Sequence, residues 1–199
     1  MISSSLCNTH YKYTITFTFQ EVKFGSKNPD VLAEDFQFIF PIVGPLTKVE
    51  FTTVFSSFKV DDAFPNSQNN FFGFTVDPVE PNRVWYFSRA VLKHEGTLKF
   101  GKLELPATNK TVIHTPQAFS VSYDGEGKIY KFTGGYPIDK TVGNAGGLGG
   151  VLGMIYAIGG KLPLGPEAKP WKPSLQWEAY AKRLGQIQKE WKPIGSKSD

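Results

Sequence analysis

The apolar positions of this chain fall mostly at period two, interrupted by two stretches at the helical period. Tyr11, Tyr13, Ile15, Phe17 and Phe19 alternate with Lys12, Thr14, Thr16 and Thr18, which predicts a strand. Asn28-Pro29-Asp30 predicts a short helical start running into Val31, Leu32 and Ala33, because proline is favoured at a helix start. Phe36, Phe38 and Phe40 alternate again as a short strand. Further strands are predicted at 70–76, 83–92, 96–105, 110–123 and 128–136. The sequences between them are strong turn formers, such as Asp77-Pro78-Val79-Glu80-Pro81-Asn82 and Asp124-Gly125-Glu126-Gly127. Pro116 inside the 110–123 strand requires a bulge, an edge or a bend, and bulged long strands are how a sheet curls.

The first helical stretch opens on Thr47-Lys48-Val49-Glu50. That is a capping box, in which the threonine and glutamate side chains satisfy free backbone N–H groups. Phe51, Val54, Phe55 and Phe58 then follow on one face, which should lie on the sheet. The second stretch starts near Ser174 and is ended by Pro193. Trp177, Tyr180, Ala181, Leu184, Ile187 and Trp191 share one face, and Lys182, Arg183, Gln186 and Lys189 lie largely off it. Docking on the protein's own body is the simplest use for that face; a partner or membrane surface is the alternative. Between the strands and this helix lie a glycine-rich run, 143–160, and a proline-rich run, 163–173, read together as a connector.

The organisation expected is therefore an atypical N-terminal segment over 1–27, one α+β domain over 28–140, a Gly/Pro-rich connector over 141–173 and a C-terminal helix over 174–193. Length suits one domain with appendages. Aromatic residues make up 15% of the chain, which fits a β-rich core or an aromatic-lined pocket. Cys7 is the only cysteine, so an intramolecular disulfide and a cysteine-based zinc site are excluded. That usage fits an intracellular, reducing compartment, cytoplasm or organelle. The net charge is +4, and all of the excess lies beyond residue 160. A basic tail can meet an acidic partner, but no nucleic-acid motif accompanies it, and no stretch has the length of a transmembrane span. His10, His94 and His114 do not cluster as metal ligands, and the glycine run matches neither the dinucleotide fingerprint nor the P-loop. No cofactor and no metal are expected.

Helices followed by a run of antiparallel strands that ends near an aspartate resembles the nuclear transport factor 2-like cone, and within it the SnoaL-like domains related to bacterial polyketide cyclases. The segments that carry the resemblance are Asn28-Pro-Asp-Val-Leu-Ala-Glu-Asp-Phe36, Gly44-Pro-Leu-Thr-Lys48, Ala63-Phe-Pro65, Lys93-His-Glu-Gly96, Pro106-Ala-Thr-Asn-Lys110, Ser120-Val-Ser-Tyr-Asp124 and Gly127-Lys-Ile129. They span about residues 19–139, and their order and spacing are more specific than any one of them. The chain departs from the pattern in three places. A strand pattern stands where the family begins with a long helix. Lys93-His94-Glu95-Gly96 stands where Thr-His-Thr-Gly is usual, and Asn66 where aspartate is common.

The resemblance implies a curved, mostly antiparallel sheet packed with N-terminal helices, enclosing a pocket for a small hydrophobic molecule. It also implies an Asp/His pair at Asp139 and His94: the aspartate as general acid/base if apolar walls raise its pKa, the imidazole as proton shuttle. The plain alternative is a turn histidine and a strand-end aspartate without chemistry. Arg89, Gln117, Tyr136 and Trp85 are the candidate substrate-binding residues: Arg89 to clamp an anionic or carbonyl group, Gln117 and Tyr136 to hydrogen-bond, and Trp85 to pack. Two functions stay open. One is cofactor-independent cyclisation, isomerisation or dehydration. The other is a non-catalytic binding or assembly module whose basic C-terminal helix docks a partner. Pairing of two copies through the open sheet face is a further expectation from the resemblance.

Overall fold

The computed structural model describes residues 28–162 and 175–190. The alternating segment 11–19 and the long initial helix of the resembled family lie outside the described residues.

Asn28 caps a single 3-10 turn at Pro29–Val31, its side chain accepting from the Asp30 N–H. The turn does not continue as a helix. Leu32 and Ala33 already belong to strand β1, Leu32–Phe40, because this backbone pairs with another strand from Leu32 onward. Strand β2, Val43–Leu46, folds back against it. Helix α1, Lys48–Ser57, forms where the capping box predicts it. The Thr47 side chain accepts from the Glu50 N–H, and Glu50 Oε2 accepts from the Thr47 N–H at 2.9 Å. Phe51 is fully buried, and its ring lies 5.2 Å from Phe36 and 4.9 Å from Phe38. Burying one such ring is worth about 1.5–3 kcal/mol, so this face holds the helix on the sheet. A one-turn helix, α2, follows at Val60–Ala63.

The remaining strands are β3 Phe71–Val76, β4 Arg83–Ser88, β5 Val91–Lys93, β6 Leu98–Phe100, β7 Leu103–Leu105, β8 Thr111–Ile113, β9 Gln117–Tyr123 and β10 Ile129–Pro137. The main sheet has the order β2-β1-β10-β9-β4-β3. Only the β1–β10 pairing is parallel. Two expected long strands are each broken in the middle. The 83–92 strand breaks at Arg89–Ala90, and the 110–123 strand breaks at His114–Pro116, where proline has no N–H to give a ladder. Their outer halves still pair as β5 with β8, Leu92 facing Val112. Bending both partners at one level curls the sheet. The expected 96–105 strand is instead the β6–β7 hairpin, turned at Gly101 with φ +59°.

The glycine-rich run, expected as a connector, carries a helix. Gly150–Ile158 is a helix, α3, burying Leu152, Gly153, Ile155 and Ile158. It closes on Gly159 at φ +93°, with the Gly160 N–H bonding Ile155 O at 2.8 Å, and Lys110 Nζ donates to Ile158 O at 3.0 Å. The body of the protein therefore runs through Gly160. A last helix, α4, spans Leu175–Glu190. Tyr180 and Ala181, expected on a docked face, are exposed, as are Lys182 and Arg183.

Two apolar clusters result. The first joins Leu32, Phe36, Phe38, Phe51, Phe74, Val84, Tyr86, Phe119, Val121, Ile129 and Phe132 under α1. The second joins Ala63, Phe64, Ala90, Leu92, Leu98, Val112, Ile155 and Ile158 around α3.

Candidate functional site

Strand alternation decides which side chains face inward. On β4, Val84, Tyr86 and Ser88 are buried while Arg83, Trp85 and Phe87 are half-buried on the other side. The inward phase continues past the break as Ala90, Leu92 and His94, all buried. On the partner strands the inward residues are Val121, Phe119 and Gln117, matched across the ladder to Val84, Tyr86 and Ser88. Beyond the break the phase slips by one, to His114 and Val112. One continuous inner face thus carries the first apolar cluster, then a polar belt of Ser88, Gln117 and His114, then the second cluster with His94 at its far end.

Hydrogen bonds fix the belt. Gln117 Oε1 accepts from the Gly150 N–H at 2.8 Å, so its amide nitrogen is turned to His114, 2.9 Å from Nδ1. The imidazole must then accept at Nδ1 and carry its proton on Nε2. Burial holds His114 neutral, its pKa pushed down to about 4. Ser88 Oγ donates to Asn69 O at 2.7 Å. The glycine segment crosses directly over Gln117. A Cβ at Gly149 would stand 2.0 Å from Gly135 O and 3.0 Å from Gln117 Oε1.

His94 is built the same way. The Thr108 N–H donates to its Nδ1 at 3.2 Å, with Thr108 Oγ1 at 3.0 Å, so the proton again sits on Nε2. Its ring lies 5.1 Å from Phe64, and burial lowers its pKa. Neither His94 Nε2 nor His114 Nε2 has a hydrogen-bond partner among the described residues.

The two members of the expected Asp/His pair stand in different surroundings. His94 is fully buried, whereas Asp139 is exposed past the end of β10. Asp139 Oδ1 accepts from the Thr141 hydroxyl at 2.5 Å and from the Thr141 N–H at 3.0 Å. Those bonds, with Arg89 adding a smaller effect, lower its pKa, the opposite of what a general acid near neutrality requires. Arg89 is itself exposed at the bend, its carbonyl bonded to Asn70 Nδ2 at 3.0 Å. Trp85 lies in the outward phase. Its Nε1 donates to Asp77 Oδ2 at 2.6 Å and its ring lies 4.2 Å from the Arg83 guanidinium carbon. Tyr136 follows a register shift at Gly134–Gly135 that sets it opposite Ala118 on the outer face, where it is 40% exposed. Of the six candidates, Gln117 and His94 face inward. His114 belongs beside Gln117, and sequence reasoning weighed it only as a metal ligand. The signal for it was Pro116, because a proline bulge shifts the inward phase by one residue.

No group of three or more His, Cys, Asp or Glu side chains among the described residues is placed to hold a metal ion. No helix among them is long and apolar enough to cross a membrane.

Among solved structures, a protein from Jannaschia sp. provisionally named a SnoaL-like polyketide cyclase matches with a TM-score of 0.50 at 15% identity. It covers 77% of this chain and 95% of its own. A provisionally named polyketide cyclase from Acidithiobacillus ferrooxidans matches at 0.46 and 15%, over 67% and 89%. A provisionally named scytalone dehydratase from Novosphingobium aromaticivorans matches at 0.42 and 11%, over 67% and 87%. The chain has the same fold as that SnoaL-like protein from Jannaschia sp.. No protein-family model and no curated protein matches the sequence.

Proposed function

We propose that this protein binds a small, largely apolar molecule against the inner face of its cone. The observation that carries the reading is one polar belt, Ser88–Gln117–His114, set between two apolar clusters, the first lined by Phe36, Phe38, Phe74, Tyr86, Phe119 and Phe132. Apolar walls with a few fixed polar groups are what small-molecule sites share. Binding is favoured over acid/base turnover, because both inner histidines are held neutral and the exposed Asp139 is already committed to Thr141. Cyclisation, isomerisation or dehydration would need a group that exchanges a proton near neutrality at the belt. Native mass spectrometry of the purified protein tests the reading. A small-molecule adduct that is lost on denaturation supports it. No adduct, together with no thermal shift from a panel of aromatic ketones and hydrocarbons, would sink it.

Pairing of two copies through the outer sheet face is a second reading. Phe72 is 47% exposed there, its ring 5.5 Å from Phe87, and Tyr136 stands on the same face. Light scattering on the wild type and on Phe72→Glu distinguishes a dimer that the charge disrupts from a monomer that it leaves unchanged.

A further inference from the structure

Helix α4 is amphipathic, and both edges of its apolar sector are exposed. At about 100° per residue, Trp177 and Leu184 fall between Tyr180 on one side and Ala181 on the other. Ile187 falls beside Tyr180, which makes an apolar sector of roughly 120°. Tyr180 is 54% exposed, and Ala181 is exposed as well. A helix docked on the body by this sector would shield those edges. Lys182 and Lys189 fall on one flank of the sector and Arg183 on the other.

Charge separates the occupants that such a sector could take. All of the chain's net +4 lies beyond residue 160, so the body is neutral and offers the helix no counter-charge. A second copy would bring the same positive tail. An anionic surface complements it. The aromatic residues point to a lipid one. Tryptophan and tyrosine favour the headgroup level of a bilayer, where the ring meets acyl chains and its polar atom meets water. Lysine and arginine at the flanks of such a helix reach the phosphates. No described helix is long and apolar enough to cross a membrane, so α4, at 16 residues, would lie along the surface.

We propose that α4 is a surface anchor for an anionic lipid membrane. The Trp177–Tyr180–Leu184 sector goes toward the acyl chains, and Lys182 and Arg183 go toward the lipid phosphates. This role is independent of what the inner face of the cone binds.

Cosedimentation of the full-length protein with lipid vesicles tests it. One set is phosphatidylcholine alone; the other contains about one-third phosphatidylglycerol. Each basic residue near such a surface contributes about fivefold in affinity, so binding to the anionic set should be at least about tenfold tighter. Salt at about 0.5 M should remove the difference. Leu184→Glu sets a charge inside the apolar sector, and Lys182→Glu with Arg183→Glu reverses its flanks. Each should weaken binding at least about tenfold and leave the melting temperature unchanged. Equal binding to both sets overturns the proposal, and so does binding to neither. In the latter case a dimer that Leu184→Glu splits would make a second copy the occupant. A melting temperature that Leu184→Glu lowers would make it the body itself.

Discussion

Asn66 and Glu95 form a side-chain pair, with Asn66 Nδ2 donating to Glu95 Oε2 at 2.9 Å. Both are places where the chain departs from the pattern it resembles, and the two departures compensate. A glutamate beside His94 would repel an aspartate at 66, whereas an asparagine donates to it. Lys93 completes the arrangement at 2.8 Å from Glu95 Oε1. Asn66→Asp should therefore lower the melting temperature at pH 7 and raise the pKa of Glu95, which Lys93 and Asn66 now hold below its ordinary value. Because that folded pKa is lowered, its contribution is present above the ordinary carboxylate range and lost as pH falls through the folded value. The deficit of Asn66→Asp should accordingly shrink in acid. Thermal scans at several pH values check this, and a deficit that grows in acid would refute it.

Helix α1 depends on its cap. Thr47→Ala removes the acceptor for the Glu50 N–H and the hydroxyl that Glu50 Oε2 accepts at 2.8 Å. The expected loss is about 1 kcal/mol in urea unfolding, with m unchanged. The box also lowers the Glu50 pKa through the Thr47 N–H and hydroxyl, so its contribution disappears as pH drops through the folded value.

Two glycines separate crowding from conformational freedom. Neither Gly149 nor Gly125 needs a positive φ. A Cβ at Gly149 would meet Gly135 O at 2.0 Å, whereas one at Gly125 would meet nothing within 4 Å. Gly149→Ala should cost about 1–3 kcal/mol, as overpacking does. Gly125→Ala should be neutral or stabilising by about 0.5 kcal/mol, through the unfolded chain. Equal effects in chemical denaturation would show that the glycine segment does not press on the belt.

The sequence carried the frame further than the site. Period-two phenylalanines placed most of the main sheet, and Thr47-Lys48-Val49-Glu50 placed α1, because alternation and capping are local. Helix α3 was hidden because Gly146, Gly149, Gly150 and Gly153 read as a connector, whether flexible or closely packed. At Gly149 and Gly153 they are close approaches, to Gly135 and Gln117 in one case and to Leu148, Ala145 and His114 in the other. Those neighbours are distant or non-periodic, so no local pattern announces them. His114 was missed for a related reason. Its inward phase depends on a slip across Pro116 that alternation alone does not count. Asp139 illustrates the reverse case: a strand-end aspartate looks the same in sequence whether it faces a cavity or caps a turn.

Gln117 and Asp139 should respond unequally to removal of their polar groups. Gln117→Leu leaves the Gly150 N–H without its acceptor and His114 Nδ1 without its donor, at a cost of about 1–3 kcal/mol. Asp139→Asn should change stability much less, since the side chain is exposed and serves the Thr141 turn. Urea unfolding of both variants checks this, and an equal loss in Asp139→Asn would show that the Thr141 turn matters to the fold as much as the belt does.

Buried neutral histidines make stability depend on pH in a window that the carboxylates do not share. In the unfolded chain His114 titrates near its ordinary 6.5; in the folded protein burial holds it at about 4. The unfolded state therefore takes up the proton first as pH falls. The stability from this group is complete above about 6.5 and declines until pH reaches about 4, where the folded state titrates too. The difference corresponds to roughly 3 kcal/mol from His114, and His94, also lowered by burial, acts in the same direction. Carboxylates with lowered values, such as Asp77 at about 2, lose their contribution only at lower pH. Urea unfolding at pH 7.5 and at 5.5 should thus show a loss with the carboxylates still largely ionised, and an NMR titration should find the His114 ring neutral at both. A stability flat between those values would mean that His114 is protonated in the fold. It would then have to donate through both nitrogens, and the Gln117 amide could not face it as described.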